Sequence, residues 1–329
     1  MDIGLGVIGL GRHGMRYARH LLEGVEGCRL VAVSRRDATA GGPFAREHGL
    51  AFFTDWRDLL ALSEVEAVIV VTPPSLNHDI CLAAARAGKA MLIEKPLAFS
   101  TEQARTMVQA ARAAGVPLMT AQTLRFTPVL QRLRERLPDV GSLEYLTLCM
   151  RGERPPHEWL DRPDQAGGGV VLEIGIHLFD LIRFLTGSEA VEVSAETERR
   201  HTRNLEDLAH LRFRLASGMP CYVEVSRVSG GRMCRVDAVG SAGELVADVG
   251  PGTLSRIEGW KTVEVEPVPD RPTLVTVLEA FARGVAKGGP MPVTGEDGLR
   301  AVAMAEAAYR AAAAGRPVQI RGEPMADGL

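Results

Sequence analysis

Three groups of residues in this 329-residue sequence have the types and spacing to do chemistry. The first is Gly9-Leu10-Gly11-Arg12-His13-Gly14, which follows the apolar run Ile3 to Ile8 and precedes an amphipathic stretch. In that context Gly9 permits a tight turn, Gly11 lets the backbone approach a pyrophosphate and Gly14 allows close helix-sheet packing. The helix N-terminus that follows offers free N–H groups to an anion, with Arg12 and His13 in the same loop. The second group is Ile93-Glu94-Lys95-Pro96, a lysine at the carboxyl end of an apolar run. Open α/β sheets bind their ligands at that edge. Only four of the 38 basic residues are lysine, so this placement carries more information than an arginine would. Pro96 holds Lys95 in an extended backbone and stops the strand. The third group is Glu173, His177 and Asp180, three polar residues at i, i+4 and i+7 in a segment otherwise apolar on nearly every side. That spacing stacks them on one helix face, where a buried ionisable group needs a partner or a ligand. The plainer reading is a stripe satisfied by structural hydrogen bonds. Asp180 in particular reads either as a substrate contact or as a structural carboxylate.

The elements that must position these residues follow from periodicity. Strands are expected at 3–8, 28–34, 51–53, 65–72, 90–94 and 117–121, alternating with helical stretches as in βαβ units of a doubly wound parallel sheet, the Rossmann α/β fold. Met15, Ala18, Leu21 and Leu22 fall on one face of the first helix, and Ser100 with Gln103 predicts a capping box. Thr127 and Pro128 open a further helix. The pattern then changes to strands at hairpin spacing, 141–150, 190–198, 208–215, 220–228, 232–239, 243–249 and 260–266, with helices near 273–286 and 295–314 closing the chain. The expectation is a dinucleotide-binding domain over 1–121 and a second, α+β domain over 122–329 built on a large, open, mostly antiparallel sheet.

The tip of the second strand reads Ser34-Arg35-Arg36-Asp37. An acidic residue at this place binds the ribose 2′-hydroxyl of NAD, whereas arginine accepts a 2′-phosphate. The adjacent pair favours NADP(H), with NAD(H) as the other possibility.

Bulk composition narrows the classes. With 46% apolar and 24% charged residues and a net charge of −3, the chain reads as globular, and nothing in its charge suggests a nucleic-acid partner. Cys28, Cys81, Cys149, Cys221 and Cys234 are odd in number and scattered, which predicts buried reduced thiols and no metal site. The sequence holds no uncharged apolar run long enough for a membrane span, and its opening lacks a signal-peptide pattern, so cytoplasm is the expected compartment.

The sequence as a whole resembles the Gfo/Idh/MocA group, named for glucose-fructose oxidoreductase, inositol dehydrogenase and a rhizopine-catabolism protein. The resemblance rests on VIGLGRHG at the start, TPPSLNHDICLAAARAGKAMLIEKPLA at 72–98, Arg125-Phe126-Thr127-Pro128, GGGVVLEIGIHLFDL and GEDGLRAVAMAEAAYRAA. It implies a Rossmann domain joined to an antiparallel-sheet domain that forms homodimers or homotetramers through its exposed face. It also implies a small-molecule substrate oxidised or reduced at a sugar, inositol, sugar-nucleotide or related hydroxyl. By the same resemblance Lys95 and His177 are catalytic with Glu173 beside them, and Thr72, Pro73, Asn77, His78 and Glu94 join the cofactor contacts. The family pattern has Asp where this chain has Glu173, so the carboxylate here reaches one methylene further. Trp159 and His157 lie in a stretch that could close over a sugar, and Arg125, Arg151 and Arg154 could meet a phosphate. Two other activities share the fold: a glycosidase that oxidises and restores its sugar with NAD, and a non-catalytic sensor of dinucleotide. Lys95 and His177 argue against the sensor.

Overall fold

Short β-branched runs separated by amphipathic stretches build the first of two sheets, and the hairpin-spaced runs build the second. The structure is a computed structural model that describes residues 2–154, 158–288 and 291–320. It divides into two units, Met1–Thr123 with Pro272–Leu299, and Leu124–Arg271 with Arg300–Leu329.

In the first unit, strands β1 (Ile3–Ile8), β2 (Cys28–Ser34), β3 (Ala51–Phe53), β4 (Ala67–Val70), β5 (Ala90–Glu94) and β6 (Leu118–Ala121) lie parallel in the order β3-β2-β1-β4-β5-β6. Helices α1 (Arg12–Gly24), α2 (Ala38–Glu47), α3 (Trp56–Ala61), α4 (Asn77–Arg86) and α5 (Thr101–Ala113) occupy the connections. Every residue of β1, β4 and β5 is buried, as expected of parallel strands covered on both faces. The chain order reverses between β1 and β4, which opens a crevice at their carboxyl ends. Helix α1 buries Gly14, Tyr17, Ala18 and Leu21, whereas Leu22 is 38% exposed. The inward face is thus turned from the expected one, because the Tyr17 phenol finds an acceptor inside and can be buried whole. At α5, Ser100 Oγ accepts from Gln103 N at 3.2 Å, and Gln103 Oε1 accepts in return from Phe99 N at 3.3 Å.

The second unit contains α6 (Pro128–Arg136), β7 (Leu143–Glu153), α7 (Pro163–Ala166), α8 (Ile176–Thr186), β8 (Ala190–Glu198), β9 (Leu208–Leu215), β10 (Pro220–Ser229), β11 (Met233–Gly240), β12 (Gly243–Asp248), β13 (Thr253–Glu258) and β14 (Lys261–Pro267). With the terminal β15 (Val318–Gln319) they form a nine-stranded sheet in the order β14-β13-β12-β11-β7-β10-β9-β8-β15. All its pairs are antiparallel except β7 with β10. Strand β13 was not expected: it buries only Leu254, so it has little apolar alternation to read, and its hydrogen bonds to β12 and β14 define it. Helix α9 (Thr273–Lys287) belongs to the first unit, and Thr294 bridges to Met119 of β6. Helix α10 (Gly295–Ala314) is shared between the units. A single boundary at 121 therefore leaves out a late return of the chain, which packs the buried face of α9 (Leu274, Val277, Leu278 and Phe281) into the first unit.

All five cysteines are buried and unbridged. Among the described residues no cluster of His, Cys, Asp and Glu is arranged as for a metal, and no helix is long and apolar enough to cross a membrane.

Candidate active site

The glycine loop is dictated by its own turn at two positions and stands open at a third. Gly9 has φ +98°, and a Cβ on Gly14 would sit 2.0 Å from the Gly9 carbonyl oxygen, so both positions follow from the turn itself. Gly11 differs. Its φ is −83°, which any residue adopts, and a Cβ there would meet no protein atom within 4 Å. Helix α1 has no side-chain cap and no acidic residue in its first turn. The open ground at Gly11 and the uncapped N-terminus fit a phosphate-bearing dinucleotide laid across them.

Residues expected around that loop do gather there. The Ser34 carbonyl accepts from Gly9 N at 3.0 Å and Leu10 N at 3.1 Å, and Arg35 Nη1 donates to the Leu10 carbonyl at 2.9 Å. Arg36 is exposed, and Asp37 caps α2, accepting from Thr39 and Ala40. Its hydrogen bond from the Thr39 hydroxyl, helped by the backbone N–H groups of the cap and by Arg35, lowers its pKa. Arg12 is exposed, whereas His13 reaches across to β5, where its Nε2 lies 2.8 Å from Glu94 Oε1. The Tyr17 hydroxyl donates to the same oxygen at 2.7 Å, and Lys95 N donates to Oε2 at 3.1 Å. Glu94 is only 8% exposed. Burial alone would push its carboxyl up, but the His13 hydrogen bond and charge, the Lys95 charge and the Tyr17 hydroxyl together hold it down to about 2. The carboxylate is therefore ionised, which makes His13 Nε2 the donor.

Lys95 is half-buried, and the peptide bond to Pro96 is cis. The turn that follows is tied by Asn77, whose Nδ2 donates to Pro96 O at 3.0 Å and Leu97 O at 3.4 Å, while its Oδ1 accepts from Thr72 Oγ1 at 3.1 Å. Asn77 is 1% exposed. Its amide is engaged within the protein, where it fixes the Lys95-Pro96 turn. His78 has its Nε2 at 3.0 Å from Thr106 Oγ1 on α5 and its Nδ1 at 3.2 Å from Asp79. Pro73 precedes a short 3-10 turn, Pro74–Leu76.

In the second unit the glycine run 167–169 gives way to a π-turn, Val171–Gly175, and only then to α8. The start of the turn is held by Glu206, which accepts from Gly169 N at 3.2 Å, Val171 N at 3.0 Å and the Tyr309 hydroxyl at 2.8 Å. A Cβ on Gly169 would lie 2.0 Å from the Glu206 carbonyl oxygen, so close approach requires glycine there. Burial raises the Glu206 carboxyl, and the neutral donors around it do not offset that.

The expected stack of Glu173, His177 and Asp180 is divided between different partners. Glu173 is taken by Arg227 of β10, with Nε to Oε2 at 2.6 Å and Nη2 to Oε1 at 2.5 Å. Burial works against the Arg227 charge, but the Glu173 hydrogen bonds and the charges of Glu173 and Glu153 raise its pKa. Asp180 is taken by Arg125, with Nε to Oδ2 at 2.7 Å and Nη2 to Oδ1 at 2.6 Å. Asp180 is 1% exposed, and its pair with Arg125, whose guanidinium also lies over the Phe184 ring, supports the reading of Asp180 as a structural carboxylate. His177 is half-buried at the start of α8. Arg151 pairs with Glu224, and Arg154 Nη2 lies 3.1 Å from His201 Nε2. Trp159 sits in the 3-10 turn Glu158–Asp161, which Asp161 fastens to the backbone of residues 203–205. His157 lies outside the described residues.

Sequence reasoning missed Tyr17, Glu206, Arg227 and Tyr309. Arg227 had left a signal: in sequence it falls in phase with apolar Cys221, Val223 and Val225 of the same strand.

Residues 3–122 match the Gfo/Idh/MocA profile described as oxidoreductase family, NAD-binding Rossmann fold, and residues 133–320 match that family's C-terminal alpha/beta domain. The chain is 28% identical to inositol 2-dehydrogenase of Rhizobium meliloti, over 97% of this chain and 100% of that protein. It is 31% identical to 1,5-anhydro-D-fructose reductase of Ensifer adhaerens, over 89% and 92%. Among solved structures it is similar to an aldose-aldose oxidoreductase from Caulobacter crescentus complexed with glycerol, at 26% identity and TM-score 0.86, covering 97% of this chain and 100% of that one.

Proposed function

Because this chain belongs to the Gfo/Idh/MocA oxidoreductase family through both of its halves, we propose that it transfers a hydride reversibly between a nicotinamide dinucleotide and a hydroxyl or carbonyl carbon of a sugar, inositol or related polyol. The observation that supports the reading is the hydrogen bond from His13 in the glycine loop to Glu94, the immediate neighbour of Lys95. The nicotinamide supplies the hydride chemistry when bound. His177 exchanges the hydroxyl proton as general acid or base, and Lys95 stabilises the developing alkoxide with its charge. Glu173 orients His177. Relatives named for inositol and anhydrofructose support the polyol class.

Arg35 and Arg36, with Asp37 committed to its helix cap, favour NADP(H) over NAD(H). Thermal shifts with NAD, NADH, NADP and NADPH test this; stabilisation by the NAD pair alone rejects it. Buried, unbridged cysteines fit a cytoplasmic compartment. The nine-stranded sheet exposes Tyr145 and Tyr222 side by side, ring centroids 6.0 Å apart, and this pair supports a homodimer or homotetramer formed through that face.

The decisive test is a panel of inositols, sugars and anhydrosugars scored by dinucleotide absorbance, with His177→Ala as control. Turnover should fall by about a hundredfold to ten-thousandfold while dinucleotide affinity stays within about twofold. Near-normal turnover in that variant overturns the assignment.

A further inference from the structure

Arg227 lies near the end of β10, just beyond buried Val225 and Ser226, and its side chain is 20% exposed. A guanidinium in such a place is costly unless its charge and N–H groups are answered. Here they are answered from several directions. The fork of Nε and Nη2 meets both Glu173 oxygens, Nη1 donates to the Glu153 carbonyl at 3.2 Å, and the Arg227 backbone N–H donates to the Asp207 carbonyl at 2.8 Å. The ladder between β10 and β7 is irregular between Ser226 and Ser229, and such a break re-aims the side chain beside it. The partner carboxylate is equally fixed. Glu173 lies on a π-turn whose first residues are held by Glu206 and Tyr309, and Glu173 N donates to the Gly169 carbonyl at 2.8 Å. With side chains 20% and 22% exposed, the pair is largely out of water.

We propose that Arg227 is a positioning residue for the reaction: by clamping Glu173 as a fixed anion four residues before His177, it sets the proton affinity of His177 and prevents Glu173 from serving as the proton acceptor. This rests on the reading of His177 as the proton-exchanging group. A carboxylate that accepts two charge-assisted hydrogen bonds from one guanidinium is stabilised as the anion, and taking a proton would forfeit that stabilisation, so it carries charge and geometry and does not carry protons. What His177 experiences from this direction is a couple, with Arg227 the positive end and Glu173 the negative end. Glu153 is a further charge acting on Arg227, and its carboxylate is itself paired with Arg232; Glu206 and Tyr309 share a hydrogen bond at the start of the turn that carries Glu173.

The test uses the full-length protein. Histidine ring resonances are titrated by NMR, with His177 identified by its loss in His177→Gln. Removing the positive end in Arg227→Met should raise the proton affinity of His177 by about tenfold. Removing the negative end in Glu173→Gln should lower it by about the same factor. The Glu173→Gln/Arg227→Met double variant, neutral and close in volume, should return it near the wild-type position and guards against loss of fold in either single variant. In turnover, Arg227→Met should lose about tenfold or more in kcat with dinucleotide affinity unchanged, and its pH profile should move with the His177 titration. Arg227→Lys should recover part of the loss, since it restores charge without the fork. A His177 titration that stays in place in both single variants, with only the melting temperature falling, overturns the proposal and makes Arg227 a strut. Opposite shifts that cancel in the double variant, in a protein that turns over no polyol or sugar, uphold the clamp and reject the oxidoreductase reading instead.

Discussion

Glu94 in the first unit and Glu206 in the second are glutamates withdrawn from water beside the helix that bears a candidate site, yet their protons behave oppositely. Glu94 accepts from His13, Tyr17 and Lys95 N and is held down to about 2. Glu206 accepts from two backbone N–H groups and the Tyr309 hydroxyl, and its carboxyl is raised. Each has a full set of hydrogen bonds. The difference lies in the partners: Glu94 is lowered by the His13 hydrogen bond together with the charges of His13 and Lys95, whereas the donors around Glu206 are neutral dipoles. At Glu94 the His13 hydrogen bond, backed by neighbouring positive charge, more than offsets lost hydration, whereas the neutral donors at Glu206 do not. The two residues accordingly suit different tasks. Glu94 is a permanent anion joining the glycine loop to Lys95, and Glu206 is a cap that fixes the π-turn.

This contrast can be broken most forcefully at Glu94. Its pKa falls from the ordinary 4.5 to about 2. That difference corresponds to about 3 kcal/mol of stability from a buried group. Because the folded pKa is the lower one, the unfolded chain binds more protons between those two values. The contribution is present above the ordinary carboxylate range and fades as pH falls towards 2. Urea denaturation of Glu94→Gln should show a loss of that order at pH 7 that shrinks steadily below pH 4.5; a deficit independent of pH would mean the cations are not what holds the carboxylate. A smaller effect is expected of Tyr17→Phe, which removes one hydrogen bond to a charged acceptor. It should cost about 1.5 kcal/mol and move the acid transition of the protein upward, read by the same titration. Smallest and opposite in sign is Glu206→Gln. The raised pKa means the folded protein binds more protons than the unfolded chain above the ordinary carboxylate range, so wild-type stability declines as pH rises through it. Relative to wild type the variant should gain stability between pH 4 and pH 7 by less than about 1 kcal/mol. A relative loss on raising the pH would place a cation near Glu206 and erase the contrast.

The two regions also differ in how far they could be read in advance. Gly9, Gly11, Gly14, Ser34 and Arg35 lie in one βαβ unit, and the sequence pattern that identifies the strand and helix brings them together. Glu94 and Lys95 required only that β5 end where its apolar run ends. The helix carrying His177 was located correctly, but a uniform α-helix was expected through 173–180 and a π-turn intervenes, fixed by Glu206 and Tyr309 from far along the chain. Asp180 shows the same limitation. Its burial could be anticipated from its apolar neighbours, but its partner Arg125, 55 residues earlier, could not be paired with it by spacing. The resemblance points Asn77 towards the cofactor, but only the path of the Pro96 turn shows which protein groups its amide holds.

By itself, then, the sequence determined the two architectures and the open cradle at Gly11, and it singled out candidate groups for moving protons or binding an anion. These depend on short-range causes: alternation, helical period, turn chemistry and the absence of a Cβ. The tertiary structure alone decided which charge faces which, placing Arg227 on Glu173, Arg125 on Asp180 and His13 on Glu94. Electrostatic energy depends on distances of a few ångströms and on exclusion of water, and neither is a function of separation along the chain.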